Sequence, residues 1–294
     1  MATGEAAGKI GVTGSNPTGS IKGTAPATLP AVVILRKCET LREMQACFAL
    51  QKEVWKFADV DLIPVRMFVV AAKIGGHVIG AFVERDENSD GQSDVNSHDE
   101  LIGFALAIPG MRNGHYYLHS HMLAVRQSHR NGGLGRRMKF YQREDALARG
   151  FELMEWTFDP LEIKNAYLNI EKLGAIARRY NVNQYGITSS PLQGGLPTDR
   201  LVAEWWLKSK RVEAVLANAP PAKFECHAHI DVPAEIYKWK AEANTRKQAQ
   251  VVQQENRERF LREFAEGQSV LGYERDEAGN GQFLLGRWNE GWQY

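Results

Sequence analysis

The chain is short of cysteine, of net charge and of long apolar runs. Cys38, Cys47 and Cys226 are its three cysteines in 294 residues. An odd number without paired spacing excludes a disulfide framework and reads as free thiols in a reducing compartment, so a cytoplasmic location is expected. Lys and Arg number 36 against 35 Asp and Glu, a formal net charge of +1. So even a balance argues against a nucleic-acid or membrane-surface partner. No run of apolar residues reaches membrane-spanning length. Residues 1–30 are rich in Gly, Ala, Thr and Ser without an apolar core segment, and read as a flexible tail rather than a signal peptide. Internal repeats are absent. Hydrophobic residues make up 44% of the chain, enough to bury a full core.

What is present is a glycine-rich turn, Arg130-Asn131-Gly132-Gly133-Leu134-Gly135-Arg136. It comes after an apolar strand, Leu118 to Val125, and opens a helical stretch, Arg136 to Arg149. Unpaired N–H groups and the positive end of a helix dipole bind phosphate at such a turn. Two kinds of phosphate loop are excluded by the residues at its C-terminal end. A Walker loop needs Gly-Lys-Ser/Thr, and Gly135 is succeeded by Arg136-Arg137; a dinucleotide fingerprint needs a third glycine where Met138 stands. The remaining pattern is Arg-x-x-Gly-x-Gly, at Arg130, Gly133 and Gly135. The plain alternative is a tight strand-to-helix loop that holds no ligand.

The turn and its surroundings resemble the pyrophosphate loop of the GNAT superfamily of acyl-CoA-dependent N-acyltransferases. The order strand 117–125, loop 126–135, helix 136–149, strand Phe151 to Phe158, helix Ile163 to Arg179 is similar to the family's core. Asn165 to Ala175, with Glu171-Lys172-Leu173-Gly174, resembles its second helix. Upstream, Ala31 to Lys37 reads as a strand. Thr40 caps a helix from Leu41 to about Phe57, with Glu43 completing a capping box. Met67 to Lys73 and His77 to Glu84 read as a hairpin around Gly75-Gly76, and Leu101 to Ile108 as a strand. The implied fold is α/β, a mixed and mostly antiparallel central sheet flanked by helices. Its core spans residues 31–190, and residues 191–294 form an α+β extension packed on that core. In the extension, Thr198 or Asp199 is expected to cap a helix through Glu204-Leu207, Lys223 to Val232 to form a strand, and Ala234 to about Glu266 to be helical. That helix reads as a solvated surface or as a homodimer contact. Val270 to Tyr273 and Gln282 to Trp288 read as a last hairpin.

The resemblance implies acetyl-CoA or another acyl-CoA as cofactor, succinyl-CoA among them. Arg130, Asn131, Gly132, Gly133, Leu134, Gly135 and Arg136 would cradle the pyrophosphate, with Asn165 on the second helix also at the cofactor. The backbone N–H of Leu123 would hold the thioester carbonyl and that of Val125 the pantetheine arm. By alternation Tyr117, His119, His121, Leu123 and Val125 share one strand face. His119, ahead of His121, is the expected general base, because an imidazole accepts an amine proton near neutrality. Glu155 and Asp159 stand in reserve. The family's usual acid, a tyrosine on the second helix, is replaced by Ile170; Tyr167, one turn earlier, is the expected substitute.

The expected acceptor is a small-molecule amine such as an amino acid. A carboxylate on it needs a cation, for which Arg200, Arg66 and Arg126 are candidates, and Trp156, Trp205 and Trp206 could wall a side-chain pocket. A protein lysine or N-terminal acetyltransferase, and a non-catalytic acyl-CoA-binding sensor, are the alternatives. No metal is expected. Asp86-x-Asn88-x-Asp90-Gly91 starts like a calcium loop but has Ser97 at its twelfth position, and along Cys226-His227-Ala228-His229 the cysteine and the histidines diverge.

Overall fold

The computed structural model describes residues 32–83, 99–186, 193–220 and 222–290. The expected N-terminal tail, the start of the calcium-like loop at 86–97 and the breaker-rich turn at 189–192 lie outside these residues.

The first strand, β1 (Val33–Lys37), leads into helix α1 (Leu41–Trp55) through the capping box expected from sequence. Thr40 Oγ1 accepts from the Glu43 N–H at 3.3 Å, and Glu43 Oε2 accepts from the Thr40 N–H at 2.9 Å. Lys56, at φ 51°, ends the helix. Residues 67–73, read from sequence as a strand, belong instead to helix α2 (Val65–Lys73). Pro64 stands at its start, and Phe68 and Ala71, three apart, are the pair it buries. A β-branched and aromatic run favours a strand locally, but here packing against α1 and the sheet decides.

Three antiparallel strands come next: β2 (His77–Val83), β3 (Glu100–Arg112) and β4 (His115–Val125). Helix α3 (Leu134–Ala148) returns the chain to β5 (Leu153–Phe158). Helix α4 (Ile163–Tyr167) widens into a π-helical turn over Leu168–Lys172. The helix expected to reach Arg179 stops there. Gly174, at φ +77°, turns the chain where a Cβ would come 3.3 Å from the Val212 Cα. Strand β6 (Ile176–Asn181) then begins.

Residues 200–206 form strand β7 (Arg200–Trp206), not the expected capped helix. Asp199 takes the Arg257 guanidinium and the Tyr180 hydroxyl, and Thr198 Oγ1 takes the Tyr185 N–H; neither caps a helix. Helix α5 (Lys210–Leu216) is capped by Ser209. Strand β8 (Ala228–Val232) is shorter than expected, and the helical stretch after it is two helices, α6 (Ile236–Ala241) and α7 (Arg246–Ala265). Helix α7 is not solvated all round: Ala249, Gln253, Asn256, Phe260 and Glu263 form a buried stripe. Strands β9 (Ser269–Arg275) and β10 (Gly281–Gly286) make the expected hairpin.

The ten strands among the described residues join one sheet in the order β1-β2-β3-β4-β5-β7-β6-β9-β10-β8. The C-terminal strands therefore lengthen the sheet at β6 rather than build a second one. Among the described residues every pairing is antiparallel except β4 with β5. No described helix is long and apolar enough to cross a membrane.

Candidate active site at the fork of two strands

The parallel contact between β4 and β5 is brief. Only Leu118 with Met154 and His119 with Glu155 are in register. Beyond them β4 runs on to Val125 and β5 to Phe158 without pairing to each other, so the sheet forks. A fork inside a sheet leaves strand N–H and C=O groups available to a ligand lying between its arms.

A β-bulge sits at the apex of this fork. The β3–β4 register steps from Leu106 opposite Met122 to Ala107 opposite Ser120, which leaves His121 without an opposite residue. The bulge reverses the faces. Leu118 and Ser120 look toward α3, and so do Leu123 and Val125, which pack on Leu134 and Met138. Tyr117 and His119 look the other way, as do Met122 and Ala124 beneath α1 and α2. The expected single face carrying Tyr117, His119, His121, Leu123 and Val125 is therefore corrected: strict alternation fails at the one residue the bulge inserts.

The glycine-rich turn lies at the open end of the fork. Asn131 and Gly133 have φ +66° and +79°, and Gly133 is the N-cap of α3. No side chain caps that helix and no acidic residue stands in its first turn, while Arg136 does. A Cβ at Gly132 or Gly133 would meet nothing within 4 Å, and Gly135 lies against Leu123, whose Cδ2 would be 3.6 Å from a Cβ there. The turn thus offers open N–H groups with positive helix polarity, as an anion requires. Arg130 braces it, its Nε donating to the Val125 carbonyl at 2.8 Å. Arg136 donates to the Lys172 carbonyl at 3.1 Å, tying the turn to the α4 region.

On the α3 side of the apex a buried polar chain runs inward. Lys139 Nζ donates to Ser120 Oγ at 2.8 Å and lies 3.7 Å from the centroid of the Trp156 ring. Ser120 donates to Gln142 Oε1, Gln142 Nε2 meets His77 Nε2 at 2.9 Å, and His77 Nδ1 meets Asp145 at 2.8 Å. Burial pushes the Lys139 ammonium down to about 7. Trp156, expected to wall a substrate pocket, is instead buried in the core beneath this amine. Sequence reading missed Lys139 and Gln142. Their spacing from Leu134, Met138 and Ala146 places both on the buried side of α3 and was the available signal.

The opposite side of the apex is charged. Glu155 and Glu204, each 1% exposed, are held by three arginines. Arg112 grips Glu155 with two bonds of 3.1 Å, Arg178 grips Glu204 at 2.6 and 3.1 Å, and Arg179 bridges both carboxylates. All three guanidiniums remain partly open, so the patch carries more positive than negative charge. Burial pushes Glu155 up to about 7; Arg112 opposes that shift and Glu204 adds to it. His119, the register partner of Glu155, is pushed down to about 4, by burial first and then by His121, Lys139 and Arg112. Its ring is 6.0 Å from that of His121, and neither of its nitrogens has a hydrogen-bond partner among the described residues.

The other expected site residues have the following surroundings. Tyr167 places its ring between Lys172 and Arg275, toward β9. Ile170 is fully buried in the core, and Asn165 is exposed on α4. Arg200 bonds the Asp199 carbonyl and Gln193, Arg126 pairs with Glu53 and Glu100, and Trp205 donates to the Leu173 carbonyl inside the core. Cys226 Sγ lies 3.6 Å from His229 Nε2, because β8 begins only at Ala228 and strict alternation does not yet hold at Cys226.

No protein-family model and no curated protein matches the chain. Solved structures similar to it include an acetyltransferase of the GNAT family from Streptococcus pneumoniae, at 16% identity and TM-score 0.43, over 59% of this chain and 98% of that one. The ribosomal-protein-S18-alanine N-acetyltransferase of Escherichia coli is similar at 13% identity and TM-score 0.44, over 60% and 96%. Aminoglycoside 6'-acetyltransferase type Ii is similar at 18% identity and TM-score 0.43, over 60% and 99%. Likeness of this order assigns neither an activity nor a substrate.

Proposed function

We propose that the chain is an acyl-CoA-dependent N-acyltransferase whose thioester lies at the apex of the β4–β5 fork. One observation carries this reading: a fork with unpaired strand edges opens onto an uncapped helix N-terminus set in a glycine-rich turn. An elongated ligand with an anionic end and an amide-bearing arm fits both parts at once, and acyl-CoA has that form. The N–H groups of residues 131–136 would meet the pyrophosphate. Backbone donors at Leu123 and Val125 would align the thioester and the pantetheine arm, stabilising oxyanion charge as it develops.

The acceptor amine enters from the side carrying His119 and Glu155. Its nitrogen attacks the thioester carbonyl, and a proton must leave the nitrogen. Glu155, poised near 7, is matched to take that proton at neutral pH. His119 is neutral there and accepts a hydrogen bond from the amine. The arginine-rich patch around Glu155 and Glu204 favours an acceptor that carries its own carboxylate, which makes it a small molecule such as an amino acid. Acetyl-CoA or succinyl-CoA is the donor.

The test is free-thiol release from acetyl-CoA and succinyl-CoA against D- and L-amino acids and polyamines. Release that depends on a carboxylate-bearing amine is the expected result. CoA binding with no release from any amine would move the reading to a sensor, which the absence of a hydroxyl at Ile170 favours.

A further inference from the structure

The fork leaves one buried group unexplained. Lys139 is 4% exposed, and among the described residues its partners are a hydroxyl and a ring, never a carboxylate. A buried ammonium without a counter-charge is costly, and such groups cluster where charge develops in a reaction. Its position is particular. Ser120 is the first residue of β4 past the last β4–β5 register pair, and Trp156 is the first of β5. The amine therefore spans the two arms at the step where they part, on the face opposite His119. Gln142, held by His77, which Asp145 holds in turn, accepts the Ser120 hydrogen bond, so the Ser120 oxygen is left to receive Lys139. An ammonium has three donors. Ser120 and the Trp156 ring take two, and among the described residues nothing takes the third.

Resting on the acyl-CoA reading above, we infer that Lys139 is the acid that protonates the departing CoA sulfur. The C–N bond forms as the amine attacks, and the amine proton goes to Glu155. The C–S bond then breaks with its electron pair on sulfur, and the thiolate takes a proton from the Lys139 ammonium. The products are the amide and CoA thiol, with Glu155 protonated and Lys139 neutral. Exchange with solvent resets both. A free thiol has an ordinary pKa of about 8.5, so an amine poised near 7 is acidic enough to give it a proton.

The test needs no acceptor. The thiol of bound CoA is titrated by thiolate absorbance on the wild type, Lys139→Met and Lys139→Arg, with binding followed by calorimetry. On the wild type Lys139 gives up its proton before the thiol does, so the bound thiol should titrate no lower than that of free CoA. Lys139→Arg, which puts a permanent charge beside the sulfur and donates no proton at these pH values, should make the bound thiol at least tenfold more acidic. Lys139→Met should bind CoA and titrate as the wild type does. Equal titration on wild type and Lys139→Arg, or a wild-type thiol tenfold more acidic than that of free CoA, would overturn the inference and leave the acyl-CoA reading standing. Failure of the wild type to bind CoA would remove both.

Discussion

Two lysines buried to the same degree, Lys139 at 4% and Lys240 at 5% exposed, are treated in opposite ways by the fold. Lys240, on α6, meets Asp159 at 2.9 Å and Glu162 at 2.7 Å. Burial alone would lower its affinity for a proton, but the two carboxylates raise it above the ordinary 10.5. Lys139, on α3, has no carboxylate partner among the described residues and is pushed down to about 7. Where an amine only ties the C-terminal region to the loop after β5, it is neutralised. At the fork, where the proposed chemistry is placed, it is left without a counter-charge.

The largest expected effect breaks the paired member. Lys240→Met strands the Asp159 carboxylate in the interior and should cost about 3 kcal/mol, read by denaturant unfolding. The unpaired member should behave oppositely. Lys139→Met replaces an uncompensated buried charge with an isosteric apolar side chain and should raise stability near pH 7 by about 2 kcal/mol. The pH dependence sharpens the contrast. Between about 7 and 10.5 the unfolded chain still holds the Lys139 proton that the folded chain has released, so stability rises with pH across that window. Lys240 contributes stability fully present below 10.5 and lost as pH climbs through its raised folded value. Unfolding free energies measured across this range should lose their upward component in Lys139→Met and keep it in Lys240→Met.

Glu155 lies between these extremes, a buried charge with partners whose pKa is displaced nonetheless. Glu155→Gln should lower kcat by about 100-fold and abolish the rise in rate as pH passes through about 7. A surviving limb near 7 would assign the base elsewhere. A smaller change tests the cause of the displacement. Arg112 holds Glu155 down, so Arg112→Ala should move that limb upward by about one pH unit in the rate profile.

The same contrast explains how much the sequence discloses. Local chemistry is legible: the Thr40–Glu43 capping box, the turn at Gly133 with its positive φ, and the β9–β10 hairpin each follow from what the residues in place can do locally. Elements decided by tertiary packing are not. Residues 67–73 and 200–206 carry propensities that their neighbours override, and nothing local announces the bulge at His121, which sends Leu123 and His119 to opposite faces. In the candidate site, His119 and the glycine-rich turn are visible in sequence. Lys139 is signalled only by its spacing on the buried side of α3, and the Arg112–Arg178–Arg179 cluster is assembled by strand register across long separations, which one sequence does not display.

The central claim is that the β4–β5 fork and the glycine-rich turn hold a CoA thioester, and calorimetric titration with CoA of the wild type and Gly133→Val tests it most directly. Gly133 has φ +79°, which a β-branched residue adopts only under strain. The account predicts one CoA bound per chain and at least tenfold weaker binding to Gly133→Val, with the fold retained by circular dichroism. No binding by the wild type, or equal binding by both, would contradict it.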